Sequence, residues 1–88
     1  MLLKEIHIKK DLTSKDCALL VQHCMRFTSE IIIESGTSKV NCKSVMGMIS
    51  LALRKGDTIV LIVKGEDEEE AAAGVVQLFD TSFKDFEG

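Results

Sequence analysis

Residues 30–42 read EIIIESGTSKVNC. Two short runs, EIIIES and SKVNC, flank Gly36, and the stretch predicts a β-hairpin with its turn at the glycine. Toward the N-terminus, LTSKDCALLVQHCMRF (12–27) places Cys17, Leu20, Val21, Cys24 and Phe27 at helical spacing. Thr13 and Asp16 form a T-x-x-D capping pair ahead of that stripe, and Leu12 and Cys17 are spaced as a hydrophobic staple. Before it, residues 2–9 alternate, with Leu2, Lys4, Ile6 and Ile8 on one face and Leu3, Glu5, His7 and Lys9 on the other. That is the pattern of a half-buried strand.

On the C-terminal side, Ser44 opens a short apolar segment that predicts a helix of about two turns, ending near Lys55-Gly56. TIVLIV (58–63) is rich in β-branched residues and reads as a central strand. The acidic run Glu66-Asp67-Glu68-Glu69-Glu70 then complements the dipole of a last helix, on which Ala72, Val76, Phe79, Phe83 and Phe86 keep helical spacing. Gly74 is a mild weakness there, about 1 kcal/mol against alanine. The order is β-α-β-β-α-β-α, an α+β arrangement in which the economical packing puts helices on one face of the sheet. Ile32, Val60 and Ile62 then lie on the open face, where self-association as a homodimer is one way to cover them.

Eighty-eight residues without a linker or repeat predict one domain, 1–88, with room for a single core. A net charge of −3 and a pI near 5.3 leave no basic footprint for direct nucleic-acid binding. No apolar run reaches the length of a membrane span, and the charged N-terminus is unlike a secretory signal, so the expected location is cytoplasmic. Cys17, Cys24 and Cys42 lack paired-ligand spacing with each other or with His7 and His23, which argues for buried reduced thiols and no metal. The acidic run lacks the spaced oxygens and glycine of a calcium loop and reads as a solvated helix start. His23 falls off its helix's apolar stripe and reads as a solvated surface residue. No serine or cysteine has a locally paired base, and neither a phosphate-cradling loop nor a dinucleotide fingerprint is present. Those absences predict neither enzymatic activity nor a cofactor.

The candidate site is Ser44 together with the helix it opens. A serine at this position is a helix N-cap, and a phosphate there adds about −1.5 to −2 charges where the dipole and free amides favour it. Half the positions of a two-turn helix face away from the core. Some of Val45, Met46, Met48 and Ile49 should therefore show, offering an adaptable contact surface beside the serine, while core packing takes the others.

The run Asn41-Cys42-Lys43-Ser44-Val45-Met46-Gly47-Met48-Ile49-Ser50-Leu51 resembles the serine-site motif N-x-K-S-[IV]-M-G-x-[MI]-S-L of the HPr phosphocarrier proteins of the bacterial sugar phosphotransferase system. GEDEEEA and ALLVQ match as well, and the resemblance runs without a gap from about Leu12 to Phe79. It implies an open-faced β-sandwich, a four-stranded antiparallel sheet with three helices on one face. The chain departs from the family at the G-[IL]-H-A-R-P-A loop, whose histidine accepts a phosphoryl group from enzyme I. Thr13 stands at the histidine, Lys15 at the arginine and Asp16 at the proline. Threonine cannot form the labile phosphoramidate of the relay, lysine lacks the planar fork of arginine, and Asp16 is expected to meet an approaching donor with negative charge.

A retained serine with a lost histidine resembles the catabolite-repression HPr subgroup (Crh), although that subgroup generally keeps the arginine and proline. The resemblance implies phosphorylation of Ser44 by HPr kinase/phosphorylase and corepression with a LacI-type catabolite control regulator in carbon catabolite repression. Val45, Met46 and Ile49 are then the docking patch, with Lys15 near it. Two other readings remain: an interaction module using neither phosphosite, and a phosphocarrier relying on His7 or His23.

Overall fold

The computed structural model describes residues 1–84. Its elements follow the chain as β1 (Leu2–His7), α1 (Ser14–Cys24), β2 (Glu30–Ser35), β3 (Ser38–Asn41), α2 (Val45–Ser50), β4 (Thr58–Lys64) and α3 (Glu68–Asp80). The sheet order is β1-β4-β2-β3 with every neighbour antiparallel. The β-branched run of β4 therefore lies inside the sheet, where both edges are paired and branched side chains pack on the pleat. Gly36 turns the β2–β3 hairpin at φ 60°, a left-handed conformation that favours glycine.

Alternation then sorts the side chains. Ile31, Ile33, Ile59, Leu61 and Val63 go to a covered face against Leu20, Val21, Met48, Val75, Leu78 and Phe79 of the helices. The other face carries Leu3, Ile62 and Ile32 in one row, because Leu3 is opposite Ile62 and Ile62 is opposite Ile32. Val60 lies in the next row, opposite Glu5 and Glu34. This is the open-faced α+β sandwich expected from the sequence.

Three local expectations change. The helix after Ser44 ends at Ser50 rather than near Lys55-Gly56. Leu51 caps it, Ala52 turns at φ 49°, and Leu53 is thereby buried with its carbonyl accepting the Leu12 amide at 3.0 Å. Burying Leu53 outweighs one more helical turn, even with roughly 1–2 kcal/mol of left-handed strain at a non-glycine residue. The last helix likewise stops at Asp80. Ser82 and Phe83 take φ 54° and 64°, and Phe83 folds back edge-on against Phe79 at 5.3 Å between ring centroids. Phe86 lies outside the described residues.

His23 is not a solvated surface residue. It is half-buried between α1 and α3, tilted against Phe27 at 5.0 Å, and its Nε2 is buried with no hydrogen-bond partner among the described residues. Burial pushes its pKa below the ordinary histidine range, outweighing the opposing pull of the Ala71 backbone, and the Arg26 charge adds to the lowering. The ring occupies the space a side chain on Gly74 would need, since a β-carbon there would overlap the imidazole. Gly74 is thus the slot that admits His23, and its helix-propensity cost is the counterpart of that packing.

Candidate functional site

Ser44 sits in extended backbone at φ −109° and ψ 113°, and its hydroxyl accepts the Gly47 amide at 3.1 Å. It is the N-cap read from the sequence. The segment entering the cap is fixed from both sides. Asn41 Oδ1 accepts the Lys43 amide at 2.8 Å, and the Asn41 carbonyl accepts the Ser44 amide at 2.9 Å. Lys43 Nζ donates to the Phe27 carbonyl at 2.7 Å, spanning to the chain that leaves α1. With these groups spoken for, the Ser44 side chain remains exposed.

The apolar residues of α2 divide by helical geometry. Met48 is 1% exposed and belongs to the core, whereas Met46 is 74% exposed and Val45 and Ile49 are each 38% exposed. Positions 45, 46 and 49 share one face of a helix, being one, three and four apart. The short greasy segment therefore contributes one methionine to the interior and presents a three-residue apolar patch beside the serine. Its first turn holds no acidic residue.

The start of α1 is built differently. Thr13 Oγ1 accepts the Asp16 amide at 3.1 Å, and Asp16 Oδ2 accepts the Thr13 amide at 3.1 Å, closing a capping box. Lys10 Nζ lies 2.7 Å from the same carboxylate oxygen. Asp16 is buried, so it does not stand exposed in the path of a phosphoryl donor as the sequence suggested. Burial pushes its pKa up, but Lys10 and the Thr13 groups outweigh that and hold it below the ordinary carboxylate range. Lys15 is exposed in the first turn of α1 and makes no ion pair among the described residues.

Loop bonds fix how the two helix starts relate. The Leu12 amide reaches the Leu53 carbonyl, and the Lys55 amide reaches Asp11 Oδ1 at 2.9 Å. These ties hold the entrance of α1, with Thr13 and Lys15, at the exit of α2. Ser44 stands at the other end of α2, next to the end of α1 through the Lys43–Phe27 bond. Lys15 thus borders the far end of the α2 surface rather than Ser44 itself.

Asp67 is the residue the sequence reading missed. Taken as one more acid in a solvated run, it instead accepts the Thr28 and Ser29 amides at 2.9 Å each and both of their hydroxyls. The Ser29 hydroxyl, with the Thr28 amide, holds its pKa down to about 2. The clamp joins the α1–β2 loop to the start of α3 across some 38 residues of sequence, and no local spacing rule announces such a pair. Its close approach also brings Ser29 against Gly65, where a β-carbon would overlap the serine side chain. Of the two histidines, His7 is exposed and bonds Thr58 Oγ1 through Nδ1 at 3.0 Å, with Glu5 3.6 Å from Nε2. Neither lies on the α2 surface. Among the described residues no group of three or more His, Cys, Asp or Glu side chains is placed to hold a metal ion.

Comparison with known proteins agrees with this architecture. The family model described as "PTS HPr component phosphorylation site" matches residues 4–81. The HPr-like protein Crh of Halalkalibacterium halodurans is 46% identical over 76 residues, covering 86% of this chain and 90% of its own. Among solved structures, HPr-C-His from Thermoanaerobacter tengcongensis superposes with a TM-score of 0.87 at 38% identity, over 94% of this chain and 96% of that one. Crh of Bacillus subtilis, described as a domain-swapped dimer, superposes with a TM-score of 0.72 at 38% identity, over 89% and 88% of the two chains. With its fold, its capped serine segment and these relatives in agreement, the chain belongs to the HPr family of the phosphotransferase system.

Proposed function

We propose that this chain is a regulatory phosphoprotein of carbon catabolite control, switched at Ser44 and without histidine phosphocarrier activity. The observation that carries the reading is the exposed Ser44 hydroxyl at the acid-free start of α2, beside the exposed patch of Val45, Met46 and Ile49. In the reaction the Ser44 oxygen attacks the γ-phosphorus of ATP, the hydroxyl proton leaves to a base of the kinase, and ADP departs. The chain is the substrate of that reaction and not its catalyst. The phosphate then sits at the helix start, where free amides and the dipole stabilise negative charge. A partner that grips both the phosphate and the apolar patch binds only the modified form. HPr kinase/phosphorylase is the proposed modifying enzyme and a LacI-type catabolite control regulator the proposed partner, both in the cytoplasm, with Lys15 contributing a positive charge toward the far end of α2.

The start of α1 supports the loss of the relay. Thr13 is engaged in a capping box, and threonine offers no imidazole nitrogen for a phosphoryl group. A homodimer is proposed as well, since Crh of Bacillus subtilis is described as a swapped dimer and Leu3, Ile62 and Ile32 line up on the open face here.

The test is incubation with HPr kinase/phosphorylase and ATP. The wild-type chain should take up one phosphoryl group and Ser44→Ala none; an unlabelled wild type, or equal labelling of both, sinks the reading. A second reading, an interaction module using neither phosphosite, draws support from the same apolar patch because Val45, Met46 and Ile49 are exposed without any phosphate. Capture of a LacI-type regulator by the phosphorylated form alone favours the switch. Capture of a partner equally by wild type and Ser44→Ala favours the module.

A further inference from the structure

Cys24 and Cys42 are both fully buried, and their Sγ atoms lie 3.1 Å apart, with one thiol donating to the other. Their places in the chain make this contact consequential. Cys24 is the last residue of α1. Cys42 follows β3, fixed by its amide to the Ile31 carbonyl at 2.8 Å, and precedes Ser44 by two residues. Cys17, the remaining thiol, lies two helical turns back along α1, roughly 10 Å away along the axis. The chain thus pairs two of its three thiols and sets the third apart.

We propose that Cys24 and Cys42 are a site of reversible oxidation, forming an intramolecular disulfide that fastens the Ser44 segment to the end of α1. A disulfide has its sulfurs about 2.05 Å apart, so closure from the observed contact asks for a movement of about 1 Å. The oxidant class is a peroxide. One thiol attacks the peroxide O–O bond, giving a sulfenic acid and one water. The second sulfur then displaces the sulfenic oxygen, forming the S–S bond and releasing a second water. Two electrons pass from the two sulfurs to the peroxide, and both thiol protons end in water.

Burial makes this site slow and conditional. The thiolate is the reactive species, and the contact with Cys24, followed by burial, pushes the Cys42 thiol well above its ordinary range. The rate-limiting event is therefore a local opening around the two sulfurs. Cys42 lies on the connection into α2, a helix of only six residues, and this is the segment whose opening exposes the pair. Once formed, the bond closes a loop of 18 residues and holds that segment shut. The inference does not depend on Ser44 being phosphorylated.

The experiment uses the full chain, reduced and then exposed to hydrogen peroxide, followed by alkylation of the remaining thiols. The expected product is a monomer with one alkylated thiol instead of three, its peptide map joining Cys24 to Cys42. Dithiothreitol should restore all three thiols. Closing a loop of this length raises the melting temperature by about 12–24 °C. Cys17→Ser should still form the bond and Cys42→Ser should not. Because a cysteine variant can fail to fold, the wild-type peptide map decides by itself. Three free thiols after a treatment that oxidises the urea-unfolded chain overturn the proposal, as does a bond to Cys17 or between molecules.

Discussion

Two helices in this molecule begin in the same way and end up offering opposite things. Thr13 at α1 and Ser44 at α2 each accept the amide three residues on, both at 3.1 Å. At α1 that third residue is Asp16, whose carboxylate returns the bond to the Thr13 amide, pairs with Lys10 and is buried. At α2 it is Gly47, which has no side chain to return. The first helix start is closed by its own anion. The second keeps its hydroxyl exposed and has no acid in its own first turn to compensate its free amides, with Val45, Met46 and Ile49 beside it. A hydroxyl cap thus becomes a site for added phosphate only where the third position leaves the negative charge to be supplied from outside.

Substitution at either helix start puts this contrast at risk. The largest effect is expected at Asp16→Ala, which leaves the Thr13 amide and Lys10 without their shared partner and should cost about 1–3 kcal/mol in urea unfolding at neutral pH. The pH dependence has a definite sign. The folded-state pKa of Asp16 lies below its ordinary value of 3.8, so the unfolded chain binds more protons in acid. The Asp16 contribution is complete above that value and disappears as pH falls through the lower folded one. The gap between wild type and Asp16→Ala should begin to narrow as pH falls below about 3.8 and close only once pH has passed the lower folded value; a gap that persists into strong acid contradicts the closed-cap account.

A smaller loss, about 1 kcal/mol, is expected for Ser44→Ala, because only a one-way cap is removed. That loss should be flat between pH 3 and 6, roughly the range in which carboxylates titrate, since no acid takes part in this cap. The smallest effect belongs to Ser44→Asp. Aspartate also caps helices, and its charge lies at the favourable end of α2, so stability should stay within about 0.5 kcal/mol of wild type. A loss above about 2 kcal/mol, as large as that expected of Asp16→Ala, would show that the two helix starts do not differ as described.

Much of the fold was legible because the signals are local. The β-branched run of β4, the hairpin at Gly36, and the T-x-x-D spacing at Thr13 each follow from conformational preference or contacts within a few residues. The candidate site was partly legible for the same reason: a serine ahead of an apolar run is an N-cap wherever the helix points. What escaped were pairings at long range. Lys10 on Asp16, Asp67 on Ser29, His23 on Gly74 and Cys24 on Cys42 join residues that no periodicity connects. The misread helix end after Ser50 belongs with them, since burial of Leu53 and its bond to Leu12 decided it.

Element order, the alternation of faces in β1, β2 and β4 and the two hydroxyl caps were written in the residues themselves, because propensity and capping act over one or two turns. Packing of the whole chain was needed to make Met48 interior and Met46 surface, and to seal Asp16 while leaving Ser44 open. Which side of a short helix is buried depends on where the sheet lies, and that direction is set only when every element has docked.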